Sequence, residues 1–394
     1  MRFEVTVRRD VLDALALRVF RLVVTACTVH APERNLQYCR YGRERVKRRN
    51  LAAAVVFLAL MLGSTAAASQ GSHPEDLGLL RLQVATVQIA VPVSVLPHDP
   101  EGVFTSLIAD LYVPQATGPF PLVEISHDWP GTRRSLGGWG RLLASHGYLV
   151  IVPDRRGSSA IDTAPPPIAS IGAAGLDVPA DIVDLGENVN SDDMLRVVRW
   201  AEAQNRDATS ALYGKVDSKH VALAGHSIGG YYATFAAAKA QSAGPRITTL
   251  LLLDPTDERL GNYSLDSSLA VAPSLQLPTE VLASEEKTHP IQCNMSFGPD
   301  CTIVSEQEYA ALTHTSALYG LRVVRAIHTD VEDYGSKSRT EPQRMFERYG
   351  ISWLNYWLKN DCTALGYLNG SDALTDQQAG RIALFQGSRL PASC

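Results

Sequence analysis

The segment Val221–Gly230 reads V-A-L-A-G-H-S-I-G-G and contains a serine that could act as a nucleophile. Ser227 lies between Gly225 and Gly229, after a short apolar stretch and before a stretch rich in small residues. A serine on a tight strand-to-helix turn projects its hydroxyl out of the sheet, and the flanking glycines leave room for the turn to pack. The pattern predicts a nucleophilic serine, with a purely structural turn as the alternative.

A serine hydroxyl needs a histidine base to be nucleophilic at neutral pH. Where the serine occupies such a turn, the acid and then the histidine follow it along the chain. Three histidines follow Ser227, namely His289, His314 and His328. His328 comes directly after a predicted strand, where catalytic groups gather, whereas His314 falls in a predicted helix and His289 precedes a proline. The sequence therefore favours His328 as the base.

The acid that orients this histidine has more than one candidate. Asp254 directly follows an apolar strand that comes next after the nucleophile, and Pro255 biases Asp254 toward an extended backbone. Glu285 or Glu286 could serve instead after the following strand, and Asp257 is a nearby substitute. We predict Asp254, with the other carboxylates left open.

Acyl transfer also requires donors for the oxyanion of the intermediate. The backbone N–H of Ile228, the residue after the nucleophile, is one candidate. The second comes from the loop after an earlier strand, which reads I-S-H-D-W-P-G from Ile125. Trp129 is the predicted donor there, because Pro130 has no N–H.

Short apolar segments alternate with helical patterns along the body of the chain. This alternation predicts an α/β fold with a mostly parallel central sheet and helices on both faces. The sequence contains no convincing linker, so residues 69–394 are predicted to be one catalytic domain. Strands are predicted at 82–91, 107–113, 122–125, 149–152, 221–224, 248–253, 280–283 and 322–327; helices at 136–146, 192–204, 229–241, 306–319 and 341–358; and a long loop at 157–190.

The first 68 residues differ in character and read as a leader. A basic cluster begins at Lys47, an apolar run of 12 residues follows at Leu51–Leu62, and Ala66–Ala68 offers a cleavage site before Ser69. These features predict a secretory signal peptide at 47–68 and a secreted or periplasmic product. A membrane anchor is the alternative, but the run is short for a span, which needs about 20 apolar residues. Residues 1–45 do not fit a signal peptide, and one hypothesis is that translation starts at Val46, with a GTG codon read as Met.

The four cysteines beyond the leader fit an oxidising compartment. Their local spacing favours Cys293–Cys301 and Cys362–Cys394, although four cysteines allow three pairings. No Cys-x-x-Cys or His-x-x-x-His pattern suggests a metal site.

Charge excludes one class of partner. The leader carries a formal net charge of +7, whereas residues 69–394 carry 24 basic and 36 acidic residues, a net charge of −12. An acidic body repels phosphate backbones, so nucleic acid is not an expected partner.

Five motifs in order, SHDWPG, LASHGYLVIVPDRRG, GHSIGG, LLLDPTD and AIHTDVED, resemble the α/β-hydrolase superfamily over roughly residues 105–360. Within it the chain is most similar to the chlorophyllase, platelet-activating-factor acetylhydrolase and cutinase-like polyester-hydrolase group. The resemblance implies a Ser-His-Asp triad that cleaves small-molecule or polymeric carboxylic esters without a cofactor. Chlorophyllase and acetylhydrolase relatives carry the acid on a turn like that of Asp254, whereas cutinase-like relatives use the later strand. One departure is Asp128, where relatives have glycine after the histidine of this loop.

Together these features predict a secreted serine hydrolase of carboxylic esters that works through an acyl-enzyme and does not stay inserted in a membrane. An acyltransferase on the same triad is a second hypothesis. A binding protein on an inactive hydrolase scaffold is a third, which Asp128 favours slightly, since a carboxylate pointing into the oxyanion hole would oppose the negative charge of the intermediate.

Overall fold

The computed structural model describes residues 73–96, 99–128, 131–156, 185–256, 267–285, 302–333 and 339–391. These residues belong to one compact unit, Ser72–Cys394. None of the helices in the described ranges is both long and apolar enough to cross a membrane.

A nine-stranded sheet forms the centre of this unit, with strand order β1-β2-β4-β3-β5-β6-β7-β8-β9. Every neighbouring pair from β4 through β8 is parallel, whereas β1, β2 and β9 join antiparallel at the edges. The strands are β1 (Leu82–Leu96), β2 (Asp99–Pro114), β3 (Phe120–Ser126), β4 (Leu149–Pro153), β5 (Val216–His226), β6 (Thr249–Leu253), β7 (Thr279–Ala283), β8 (Leu318–Val323) and β9 (Ile382–Leu384).

The connections between the strands are mostly helical. The α-helices of the described ranges are α1 (Gly137–Ser145), α2 (Ser191–Arg206), α3 (Ile228–Ala243), α4 (Ser268–Val271), α5 (Thr302–Ala311), α6 (Glu341–Lys359), α7 (Leu365–Asn369) and α8 (Ser371–Gln378). A π-helical turn, Leu185–Asn190, precedes α2, and a 3-10 turn, His328–Val331, follows β8.

Each central strand contributes to two hydrophobic cores, because successive side chains point to opposite faces of a sheet. In β6, Leu250 and Leu252 pack on the face that α2 and α3 cover, whereas Leu251 and Leu253 pack on the face of α1 and α6. Burial on both faces explains why these strands read as continuous apolar runs. The predicted fold class, a mostly parallel sheet with helices on both faces, is confirmed.

Several predicted elements differ from the structure. The strands predicted at 107–113 and 221–224 begin earlier, at Asp99 and Val216. The strand predicted at 322–327 is β8, Leu318–Val323, which ends before Arg325 adopts a left-handed φ of 63°. The helix predicted at 306–319 is α5, which ends at Ala311. Residues 185–190 of the predicted long loop are helical, and 157–184 lie outside the described residues.

The parallel direction of the strands brings the candidate catalytic residues to one edge of the sheet. Since β3, β5, β6, β7 and β8 run in the same direction, the residues that follow them meet at the carboxyl edge. Open α/β sheets carry their ligand sites at this edge. Ser227, Asp254 and His328 all come after one of these strands.

Candidate active site

Ser227 is the junction between β5 and α3. Its φ of 56° and ψ of −125° lie outside the regions that a residue with a Cβ usually adopts. Its N–H donates to the carbonyl of Leu253 at 3.1 Å, which fixes the turn to the neighbouring strand. Backbone strain of this kind persists only where surrounding contacts enforce it, and it is concentrated at functional sites.

The glycines on either side of Ser227 are required by close backbone approaches. A Cβ at Gly225 would lie 2.0 Å from the carbonyl oxygen of Gly229, and a Cβ at Gly229 would lie 2.4 Å from that of Ser126. Both distances are far inside van der Waals contact. The Gly-x-Ser-x-Gly spacing is therefore the one that lets β5 turn into α3 against the end of β3.

His328 and Asp254 form a buried pair beside this turn. The ring of His328 donates from Nδ1 to Oδ2 of Asp254 at 2.7 Å, because a carboxylate can only accept. In the neutral ring this tautomer leaves Nε2 unprotonated, which is the form that a general base needs.

Asp254 is held in place by more than His328. Ser284, the first residue after β7, donates its N–H to Oδ1 at 2.9 Å and its hydroxyl to Oδ2 at 2.6 Å. Ser305 of α5 donates a further hydroxyl to Oδ1 at 3.1 Å. Burial raises the pKa of Asp254, but the hydrogen bond and charge of His328 and the two bonds from Ser284 outweigh it and lower the pKa to about 2.

The backbone at Asp254 differs from the prediction. We expected an extended conformation before Pro255, but the φ of Asp254 is 44°. Aspartate tolerates the left-handed region better than most residues, and the hydrogen bonds from Ser284 and Ser305 hold the carboxylate in this position.

The other candidates for acid and base lie elsewhere or outside the described residues. Glu285 accepts from the backbone N–H of Arg325 at 2.7 Å. His314 is exposed and contacts the carbonyl of Pro273 through Nδ1 at 2.7 Å. Asp257, Glu286 and His289 lie outside the described residues.

One of the two predicted oxyanion donors can be placed. Ile228 is buried at the first position of α3, where backbone N–H groups have no acceptor within the helix. Trp129 lies outside the described residues, so its role stays a prediction. The loop that leads to it is fixed by His127, whose Nδ1 donates to the carbonyl of Asp128 at 2.6 Å and whose Nε2 accepts from the N–H of Arg155 at 3.1 Å.

A second buried group of polar side chains lies next to the pair. His226 packs its ring 4.5 Å from that of His328 and contacts the His328 carbonyl through Nε2 at 3.0 Å. Its other nitrogen, Nδ1, lies 3.7 Å from Oε1 of Glu332. Burial, with the nearby charge of His328, lowers the pKa of His226 to about 3, so its ring is neutral at pH 7.

Asp128 completes this group. One oxygen of Asp128, one of Glu332 and one ring nitrogen of His226 lie within 4.8 Å of one another. Asp128 is 8% exposed, so its side chain is buried within this group.

Sequence reasoning missed Ser284, Ser305 and Glu332. Ser284 directly follows β7, so the strand-end position that favoured Asp254 was also a signal for it. Ser305 and Glu332 carry no such signal, because the contacts that place them join segments distant in sequence.

The cysteine pairings and the leader remain predictions. Cys362 is exposed at the start of a 3-10 turn, Cys362–Ala364. Cys293, Cys301, Cys394 and the whole of residues 1–68 lie outside the described residues.

Comparison with known proteins places this geometry in a family. No curated protein matches the chain. The model of the alpha/beta hydrolase family matches residues 118–372, a span that runs from just before β3 into α8 and includes Ser227, Asp254 and His328. Members of this family are generally hydrolytic enzymes, and the chain belongs to the alpha/beta hydrolase family.

Proposed function

We propose that this protein is an exported serine hydrolase that cleaves carboxylic esters through an acyl-enzyme. The observation that carries the proposal is the strained turn at Ser227 beside the buried Asp254–His328 pair. A nucleophile on a tight turn, a histidine in the basic tautomer and an anchored carboxylate are the parts that acyl transfer requires.

Each part has a role in the proposed reaction. The Ser227 hydroxyl attacks the ester carbonyl carbon while its proton passes to Nε2 of His328. Asp254 stabilises the imidazolium that forms, and the N–H groups of Ile228 and Trp129 bind the oxyanion. His328 returns the proton to the leaving alcohol, and the same steps with water release the acid and restore Ser227.

The resemblance to chlorophyllases, platelet-activating-factor acetylhydrolases and cutinase-like polyester hydrolases supports small or polymeric esters as the substrate class. The position of Asp254 after β6 favours the chlorophyllase and acetylhydrolase arrangement over the cutinase-like one. The basic and apolar leader supports export to the periplasm or medium.

The proposal predicts that Ser227→Ala loses both fluorophosphonate labelling and ester turnover. Loss of a triad nucleophile lowers kcat by about 10⁶, and alanine should leave the fold intact because only a hydroxyl is removed. Labelling in gels and hydrolysis of p-nitrophenyl esters of increasing acyl length measure this. Ser242→Ala, at an exposed position of α3, the helix that follows Ser227, is the matched control. A Ser227→Ala protein that keeps labelling and turnover would exclude Ser227 as the nucleophile.

Two alternatives give different results in the same assays. An acyltransferase would transfer the acyl group to an added alcohol in preference to water, so product analysis with an acceptor separates it from a hydrolase. A binding protein on an inactive scaffold would neither label nor turn over any ester of the panel.

A further inference from the structure

The ring of His226 presents a bare nitrogen to a buried space. Its Nε2 lies 3.0 Å from the carbonyl oxygen of His328, which can only accept, so Nε2 carries the proton. In a neutral imidazole the other nitrogen, Nδ1, is then an acceptor. His226 is fully buried, and its Nδ1 has no hydrogen-bond partner among the described residues.

Two buried carboxyl groups lie close to the ring of His226. Oε1 of Glu332 lies 3.7 Å from His226 Nδ1, a separation too long for a hydrogen bond. Asp128 is 92% buried, and its Oδ1 also has no hydrogen-bond partner in the described part of the chain. An acceptor nitrogen that faces carboxylate oxygens is unfavourable unless a positive species lies between them.

The spacing suits a metal ion. Two ligand atoms that each lie about 2.1 Å from a tetrahedral Zn²⁺ are about 3.4 Å apart. The observed 3.7 Å between His226 and Glu332 is close to this, and all three ligand atoms lie within 4.8 Å of one another. Small side-chain movements would bring the set to full coordination.

The surroundings of His226 are those of a ligand. Histidines that bind metals almost always donate their second N–H to a carboxylate or a backbone carbonyl, which fixes the tautomer and the ring, and His226 does so to His328. One imidazole and two carboxylates suit a first-row divalent cation better than Ca²⁺ or Mg²⁺, which prefer oxygen ligands alone.

We propose that Asp128, His226 and Glu332 bind one divalent transition-metal cation, with Zn²⁺ the best match, beside the Asp254–His328 pair. Three protein ligands leave a fourth position for water. The ion neutralises the carboxylates that would otherwise oppose an oxyanion near the loop of Asp128. It also fixes the ring that holds the His328 backbone.

Binding of Zn²⁺ alone tests this site without any activity measurement, so its outcome is independent of the role of Ser227. Untagged protein is treated with a chelator, dialysed, titrated with Zn²⁺ and analysed for bound metal, with the absorption of Co²⁺ as a second readout. We expect one ion per chain, a higher thermal midpoint, and no displacement by equimolar Ca²⁺ or Mg²⁺.

Near-isosteric variants assign the ligands. Asp128→Asn and Glu332→Gln should each weaken Zn²⁺ binding by at least about 10-fold, since loss of even an outer partner costs that much. Asp330→Asn, in the 3-10 turn that precedes Glu332, should bind Zn²⁺ as the wild type does. Absence of stoichiometric binding by the wild-type protein would overturn the proposal, because a water or a proton then bridges the three groups. Zn²⁺ binding by Asp128→Asn and Glu332→Gln that is as tight as that of the wild type would also overturn the proposal.

Discussion

The carboxylate of Asp254 accepts hydrogen bonds from Ser284 and Ser305 as well as from His328. Donors just after β7 and on α5 therefore fix the carboxylate independently of the histidine. A carboxylate held in this way keeps His328 in the tautomer with its proton on Nδ1. Its pKa of about 2 means that it stays ionised throughout the pH range in which a histidine base works.

We predict that Asp254→Asn lowers kcat by about 10⁴, because the amide can donate to the ring and so favour the wrong tautomer. Glu285→Gln is the matched control, since Glu285 accepts from the Arg325 backbone instead of from His328. Steady-state hydrolysis of a p-nitrophenyl ester by both variants measures the effect. If Glu285→Gln loses activity and Asp254→Asn retains it, the acid follows β7 and the arrangement is the cutinase-like one.

The sequence was informative about residues whose role depends on a local turn or a strand end. Ser227 needs two glycines at fixed positions, and Asp254 and His328 each follow a recognisable apolar stretch. It could not show that His226 and Glu332 meet, because they are far apart in the chain and come together only when β5 and β8 align. For the same reason, no pattern of closely spaced ligands in the sequence indicates the proposed metal site.

At the scale of elements, the central strands were predictable because burial on both faces makes them continuous apolar runs. The position of β8 was not predictable, because Gly320 interrupts its apolar pattern. A Cβ at Gly320 would lie 2.5 Å from the ring of Tyr309, so the glycine is required by packing of α5 against the sheet. Pairing of β8 with β7 then fixes the strand at Leu318–Val323.

The strand β7 carries a buried carboxyl group that the proposed chemistry does not use. Glu280 pairs with Tyr319 of β8 and is fully buried. Neither of its carboxyl oxygens has a hydrogen-bond partner among the described residues. Burial raises its pKa well above the usual value, so folding favours the protonated form.

This pKa shift predicts a pH-dependent gain in stability for Glu280→Gln. A raised carboxyl pKa contributes stability that is fully present below the unfolded pKa of about 4.3 and is lost as the pH rises toward the folded pKa. Glutamine does not titrate in this way. The free energy of unfolding of the variant, relative to that of the wild type, should therefore rise by up to about 1.4 kcal/mol per pH unit above pH 5.

Urea unfolding at pH 5 and pH 8 measures this difference in the free energy of unfolding. Glu202→Gln, at a partly exposed position of α2, controls for the loss of one negative charge. A difference between Glu280→Gln and wild type that is the same at both pH values would contradict a buried, protonated Glu280.

At the scale of the whole molecule, two parts of the chain carry opposite net charge. The leader has a net charge of +7 and the remainder −12. A basic cluster before an apolar run is what export machinery recognises, and we expect the acidic remainder to repel the phosphate backbones of nucleic acids. The match of the hydrolase family begins at residue 118, well beyond the predicted cleavage site.

We predict that the exported protein begins near Ser69 and contains two disulfides. Ala66–Ala68 supplies the small residues that the signal peptidase requires, and export exposes the four remaining cysteines to an oxidising compartment. Each bridge should contribute about 2–4 kcal/mol to stability. Intact mass and alkylation of the unreduced protein measure both features, and reduction should make four thiols reactive as the control. Retention of residues 47–68, or four reactive thiols before reduction, would show that the chain is not processed in this way.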